Sequence, residues 1–391
     1  MNLVVDLCKG KRGYTNGREI ETVLLKIIPF AVLFSVFTNS CFYNAAWAET
    51  DDQNWKNGLS LYKAGKITES ISSYIIAIQK NPKHPWAYQD LANAYRDTGR
   101  MSDALKCYKS AALVNPKNYW APWEIGKIAH KGGDNVNAIK NYSEAIRRSP
   151  KFSWAYFDRG VAYKDMERAT EALNDFRRCV DLDSKYSQAL EQRSEIFFSQ
   201  KQWQRAITES TSVVKLDPKN FAAYLIRGES YLMLNKHAQA IVDLTKVIAL
   251  KPEETRAYEG RITAEEHLGQ YQRACEDLGV VLDIGGDEDG FHFQRAADLI
   301  KLKKYDRALA DYDYVIKKNA EDDEAFTRRG QLYYQLGKYD KAIDDYSKAL
   351  KLGCTSPAKV LEARSDVYKK MGKYDLAAQD TQNAQKLKER N

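Results

Sequence analysis

The sequence is short of the residues that build catalytic and metal centres. It holds five histidines and six cysteines in 391 residues. No two histidines share a metal-ligand spacing. Four cysteines, Cys107, Cys179, Cys275 and Cys354, lie beyond residue 50, and neighbours in sequence are at least 72 residues apart. No disulfide is expected among them, because a bridge needs Cα atoms within about 7 Å. There is no G-x-S-x-G elbow, phosphate loop, H-E-x-x-H pair or dinucleotide fingerprint. The chain therefore reads as a non-enzyme with no cofactor and no metal. Proline is scarce at nine, which favours helices joined by short turns over a sandwich or barrel.

Charge of one sign is also lacking. The formal net charge is +7, and residues 1–48, with five Lys/Arg and three Asp/Glu, hold +2 of it. The remainder is spread thinly and alternates with acids, which marks a solvated surface rather than a nucleic-acid footprint. Mean hydropathy is −0.59 with 44% hydrophobic residues, the balance of a folded, water-facing chain.

The first 48 residues differ from the rest. Lys9, Lys11, Arg12, Arg18 and Lys26 precede an uncharged run from Ile27 to Phe37. Ala46-Trp47-Ala48 follows, with small residues at −3 and −1 of a cut before Glu49. Basic start, short apolar run and A-x-A form a signal-peptide pattern, so residues 1–48 are expected to be a cleaved leader. An uncleaved anchor is the main alternative. A lipid-modified Cys41 is a weaker one, since Thr38-Asn39-Ser40 lacks the aliphatic residue of a lipobox. The expected location is exported, periplasmic or secreted, with membrane attachment only through an uncleaved or lipidated N-terminus.

What the chain has in quantity is repetition. Pro82, Pro116, Pro150, Pro218 and Pro252 are spaced by 34 or 68. With each at position 32, repeats run over 51–84, 85–118, 119–152, 153–186, 187–220, 221–254, 255–288, 289–322, 323–357 and 358–391. Position 20 is alanine in every repeat but the first. Position 8 is Gly, Ala or Ser except at Ile262, and position 24 is mostly aromatic. Apolar residues at 4, 7–8 and 11 mark one helix, and those at 20, 24 and 27–28 a second. Glycines such as Gly65, Gly99 and Gly133 end the first helix, and proline stops the second.

These columns resemble the tetratricopeptide repeat family, whose pattern is W-x2-L-G-x2-Y, then A-x3-F, then P. Ala155-Tyr156-Phe157-Asp158-Arg159-Gly160-Val161-Ala162-Tyr163 matches it closely. The resemblance covers residues 51–391. It implies an all-α, right-handed superhelical solenoid of ten helix-turn-helix repeats, with first helices lining a concave groove. It also implies a scaffold that binds a protein or an extended peptide. The carboxylate clamp of some members is absent from repeats 1–3, where Trp55, Leu59, Asp90, Trp123 and Lys127 stand instead.

Three features stand out on this frame. Repeat 7 departs most, with Ile262, Glu265 and Gly285-Gly286, and residues 284–290 are expected to form a softer joint. Repeats 4–10 carry Arg at position 7 and an acid at position 23: Arg159/Asp175, Arg193/Glu209, Arg227/Asp243, Arg261/Asp277, Arg295/Asp311, Arg329/Asp345 and Arg364/Asp380. Repeats 1–3 lack both, so the two columns are expected to pair, partly buried and bidentate, as structural links. The change near residue 152 suggests two segments of one solenoid.

Aromatics gather early. Trp86, Trp120 and Trp154 share position 2, and Trp55, Trp123 and Phe157 share position 5. With Lys63, Arg96, Lys127, His130, Lys131 and Lys164 they define an aromatic, basic-rimmed candidate groove in repeats 1–4. The competing readings are a Trp row packed as core in a structural or self-associating spacer, and a carbohydrate-binding module that stacks sugars on Trp.

Overall fold

The computed structural model describes residues 45–284 and 289–389, with side chains from residue 53. The expected leader over 1–48 lies outside the described residues, except that Ala46 and Ala48 fall in the first turns of the first helix. The expected joint over 284–290 falls largely on 285–288, which also lie outside them. Among the described residues there are twenty helices and no strands, and no helix is long and apolar enough to cross a membrane.

The chain divides into two compact units, ending at Ala189 and starting at Leu190. The division is not at residue 152, where the Arg–acid columns begin. The first unit holds α1 (Ala45–Lys63), α2 (Ile67–Lys80), α3 (Ala87–Asp97), α4 (Met101–Val114), α5 (Trp120–Lys131), α6 (Asn135–Arg148), α7 (Ser153–Asp165) and α8 (Ala169–Leu182). The helix α9 (Ser187–Ser199) spans the division. The second unit continues with α10 (Trp203–Leu216), α11 (Phe221–Met233), α12 (His237–Leu250), α13 (Thr255–His267), α14 (Tyr271–Ile284), α15 (Asp289–Lys301) and α16 (Tyr305–Lys318). It ends with α17 (Asp323–Gln335), α18 (Tyr339–Leu352), α19 (Pro357–Lys370) and α20 (Tyr374–Lys388). Each repeat is a helix pair, and each first helix also packs on the second helix before it within its unit.

Packing explains the columns. The alanines at position 20, among them Ala104, Ala138 and Ala172, are fully buried where the two helices touch. The small residue at 8 makes room for the large one at 24. A Cβ placed on Gly126 would lie 2.6 Å from the Tyr142 ring, and one on Gly160 2.7 Å from Phe176. Repeat 7 departs from this, meeting with two side chains of equal size: buried Ile262 at 8 and buried Leu278 at 24. Burying each such side chain stabilises the array by about 2–3 kcal/mol before entropy is counted.

The first helix ends in a left-handed residue at position 15 in every repeat. Six are glycines, but Glu167, Lys201, Asn235 and Lys303 adopt the same conformation, with φ of 56–60°. The sequence pattern, which looked for glycine, did not find these four. The left-handed form costs a non-glycine roughly 1–2 kcal/mol. It is held by the bond it permits, as in Arg168 N–H to Tyr163 O at 2.9 Å.

Candidate functional site

The site grows from the turn between repeats. At position 34 a side chain accepts hydrogen bonds from the first amides of the next helix. Asn118 Oδ1 takes those of Trp120 and Ala121 at 3.0 Å, and His84 Nδ1 takes that of Ala87 at 3.0 Å. Asn220 and Asp322 do the same for Ala223 and Ala325. Repeat 3 has Phe152 there and repeat 6 has Glu254, and neither gives a cap. A missing cap costs about 1 kcal/mol. In exchange the Phe152 ring lies 4.9–6.2 Å from those of Tyr119, Trp120, Trp123 and Trp154. Arg148 fixes the neighbouring turn by donating to the carbonyls of Ala112 and Asn118 at 3.1 and 2.9 Å.

The expected tryptophans do not share one environment. Trp86 and Trp154 are each 46% exposed, and Tyr119 is 38% exposed. Position 2 is therefore no core column at these two repeats. Trp120 is half-buried, 6.0 Å from Trp154 between ring centres. Trp123 departs from the groove expectation, being only 5% exposed. It is buried because its indole N–H reaches across to Asp158 Oδ2 at 2.6 Å, under the rings of Phe152 and Trp154. Trp55 is half-buried and makes the same bond to Asp90 Oδ2 at 2.7 Å. Phe157 packs on Phe176 and Tyr186 instead.

The basic rim is largely neutralised from within. Arg96 donates to Glu124 at 2.9 Å and to Asp97 at 2.9 Å. Lys127 lies 3.5 Å from Glu124, with its ammonium 4.2 Å from the Trp123 ring centre. His130 lies 2.7 Å from Asp165, and Lys164 also has a partner. Lys63 and Lys131 are exposed. Asp90, Glu124 and Asp158, the partners that bring these groups together, were not among the groove residues expected from sequence. Burial pushes the Asp90 and Asp158 carboxyls above the usual range, opposed by the Trp55 bond at Asp90 and by the Trp123 bond and the nearby Lys127 and His130 at Asp158.

The Arg–acid columns pair rung by rung. Both oxygens of the acid are held in Arg159–Asp175 (2.7 and 2.8 Å), Arg227–Asp243 (2.7 and 2.7 Å) and Arg261–Asp277 (2.7 and 2.7 Å). The same fork occurs in Arg295–Asp311, Arg329–Asp345 and Arg364–Asp380. Arg193–Glu209 departs from the bidentate expectation with a single bond of 2.7 Å. In five rungs the free nitrogen also reaches position 25 of the preceding helix, as Arg159 does to Ser143 Oγ at 2.9 Å. Each such arginine thus ties three helices. The guanidinium groups are spent on packing and leave no open anion row.

Two buried carboxylates stand apart from these pairs. Glu265 replaces the usual aromatic at position 11 and has an oxygen with no hydrogen-bond partner; burial pushes its carboxyl up to about 7. Asp298, beside Glu266 and 3.3 Å from Lys301, is pushed up to about 6 by burial. Cys107, Cys179, Cys275 and Cys354 are buried free thiols. Among the described residues no group of three or more metal-ligating side chains comes together. An open cleft of about 840 Å³ borders α19 and α20, lined by Tyr334, Lys370, Tyr374, Thr381 and Gln382. It lies far in sequence from the aromatic cluster and gathers no catalytic grouping.

Comparison with known proteins adds the following. Residues 61–121, 155–186, 222–253 and 323–352 match sequence profiles described as tetratricopeptide repeat, and 126–167 one described as TPR repeat. No curated protein matches significantly. Among solved structures, the C-terminal part of a TPR repeat-containing protein from Cytophaga hutchinsonii is 18% identical, with a TM-score of 0.50 over 61% of this chain and 97% of that one. Pseudomonas aeruginosa pilF is 15% identical, with a TM-score of 0.47 over 55% of this chain and 97% of that one. YrrB, described as a TPR protein with an unusual peptide-binding site, is 20% identical, with a TM-score of 0.44 over 48% of this chain and 97% of that one. The likeness to the Cytophaga protein is one of fold alone.

Proposed function

This chain belongs to the tetratricopeptide repeat family, and from that premise we propose that it is a non-catalytic scaffold that binds a protein or extended peptide through repeats 1–4. One observation carries the reading: Phe152 gives up a helix cap to join an aromatic cluster that leaves Trp154 and Tyr119 open to solvent. A helix cap given up for an aromatic cluster that stays partly open to solvent marks a candidate functional position. Half-exposed tryptophan beside packed aromatic neighbours is the composition of an anchor point for a partner. Arginine, the other usual anchor, is engaged within the chain here.

We further place this scaffold outside the cytoplasm, in the envelope or secretory pathway. The support is the basic, apolar and A-x-A pattern of residues 1–48. N-terminal sequencing of exported protein tests it, and a start other than Glu49 refutes cleavage at that point.

The test of the binding role compares partner capture by the full chain and by a Trp86→Ala/Trp154→Ala variant. Both residues are exposed, so folding should be kept. Loss of a captured protein by the variant supports the reading. Equal capture moves the interface away from this surface. Capture of neutral oligosaccharide alone, lost in the variant, replaces a protein partner with a glycan.

A further inference from the structure

Three successive repeats carry a tryptophan at position 2 and an acid at position 6: Trp86/Asp90, Trp120/Glu124 and Trp154/Asp158, with Trp86 as the residue just before its helix. The two residues stand one helical turn apart on the same face. No other repeat has tryptophan at position 2 or an acid at position 6.

The middle pair is already served. Arg96 and Lys127 both reach Glu124, and Lys127 lies over the Trp123 ring. The chain there places its own cation between the Glu124 carboxylate and the face of Trp123, the ring packed edge-on against Trp120. The flanking carboxylates have no cation in bonding contact, although Lys127 and His130 stand near enough to Asp158 to favour its charged form. Asp90 and Asp158 each spend one oxygen on a tryptophan N–H from the preceding repeat, and neither makes an ion pair among the described residues. In repeat 4 the exposed tryptophan ring stands against the same neighbour as the acid, and in repeat 2 the Trp86 backbone does. Trp154 lies 5.6 Å from Trp123, which bonds Asp158. The Trp86 amide and the Trp55 ring both meet His84, and Trp55 bonds Asp90.

We propose that Trp86–Asp90 and Trp154–Asp158 are two cation-recognising subsites that take lysine or arginine side chains of one extended partner peptide. This rests on the reading that repeats 1–4 hold a partner. An ammonium or guanidinium gains from the indole face and from the carboxylate together. A partly desolvated carboxylate gains more from a cation than from a neutral hydroxyl. The favoured ligand is therefore a basic peptide rather than a neutral glycan. Non-specific attraction does not account for such binding, because the chain is itself +7 and repels polycations at long range.

The experiment titrates the full chain with octa-arginine, with the neutral isostere octa-citrulline, and with a neutral chitin hexasaccharide, by tryptophan fluorescence and calorimetry. Asp90→Asn and Asp158→Asn keep an acceptor for the indole N–H and remove only the charge. Asp→Glu at the same positions restores the charge, and Asp181→Asn is an exposed control. Octa-arginine should bind at least tenfold more tightly than octa-citrulline. Each Asn variant should weaken it by about tenfold and the pair by more, with Glu rescuing and Asp181→Asn silent. Equal binding of octa-citrulline, hexasaccharide binding without octa-arginine binding, or an unaffected double Asn variant overturns the proposal. Partner capture that needs Trp86 and Trp154 but not Asp90 and Asp158 leaves the scaffold reading standing and removes the subsites. Octa-arginine binding through the two aspartates, with capture independent of the tryptophans, does the reverse.

Discussion

The rung Arg227–Asp243 offers a quantitative test of what holds the second unit together. Asp243 is buried and takes two bonds of 2.7 Å from Arg227, which also reaches Thr211 Oγ1 at 3.2 Å. Asp243→Cys leaves a guanidinium without its counter-charge in a mostly dry seam, and Arg227→Leu leaves the buried carboxylate without its partner. Breaking one side of a buried pair costs about 3–5 kcal/mol, and the lower end applies here because Arg227 keeps some contact with water. Replacing both partners should cost far less. The chain contains that replacement itself: repeat 2 has Leu91 and Cys107 in the two columns, both buried. Arg227→Leu/Asp243→Cys should therefore lie within about 1 kcal/mol of wild type. Global unfolding of a repeat array is not two-state, so the assay is amide hydrogen exchange across α11 and α12. A loss of 3 kcal/mol appears as roughly a hundredfold drop in protection for each single variant, with recovery in the double. Single variants within a few-fold of wild type, or a double variant equal to the sum of its parts, would refute the claim that these are coupled, partly buried pairs.

Two further predictions follow from packing and burial. Gly126→Ala puts a methyl 2.6 Å from the Tyr142 ring, and overpacking there should lower stability by about 1–3 kcal/mol, read as loss of exchange protection in α5 and α6; an unchanged pattern would show that the helices are free to separate. The Glu265 carboxyl is raised from 4.5 to about 7, so the stability it contributes is full below about pH 4.5 and is lost as pH rises through 7. Glu265→Gln should accordingly raise the melting temperature at pH 8, by an effect of about 1–3 kcal/mol, and leave it unchanged at pH 4. An equal shift at both pH values would show that ionisation of Glu265 is not the cause.

Much of this architecture is written in the sequence because each repeat meets the same neighbours. A residue that fits one helix pair fits the next, so alanine recurs at 20, and Arg and acid change together at 7 and 23. The period itself therefore fixes helix number, order and the partners within a rung. Columns that can be filled in several chemical ways are harder to see. Position 34 accepts amide hydrogen bonds through His84, Asn118, Asn220 and Asp322, three residue types with one role. Position 15 takes a left-handed backbone in Glu167 and Lys303 as well as in glycine, because the helix end enforces it despite the cost.

The surface of repeats 1–4 depends on tertiary structure more heavily still. Trp123 and Trp154 both stand at the start of a first helix, yet one is buried and the other open. The difference comes from Asp158, which lies 35 residues beyond Trp123 and takes its indole N–H. Likewise the basic groove read from Arg96 and His130 is compensated by Glu124 and Asp165 of the next repeat's first helix, while Lys127 is met by Glu124 one turn away on its own helix. The sequence alone determined the repeated helix pair, since its packing is local and periodic. Which side chains remain free to meet a partner was decided only when the repeats stacked, because exposure and charge balance belong to neighbours that the chain brings together in space.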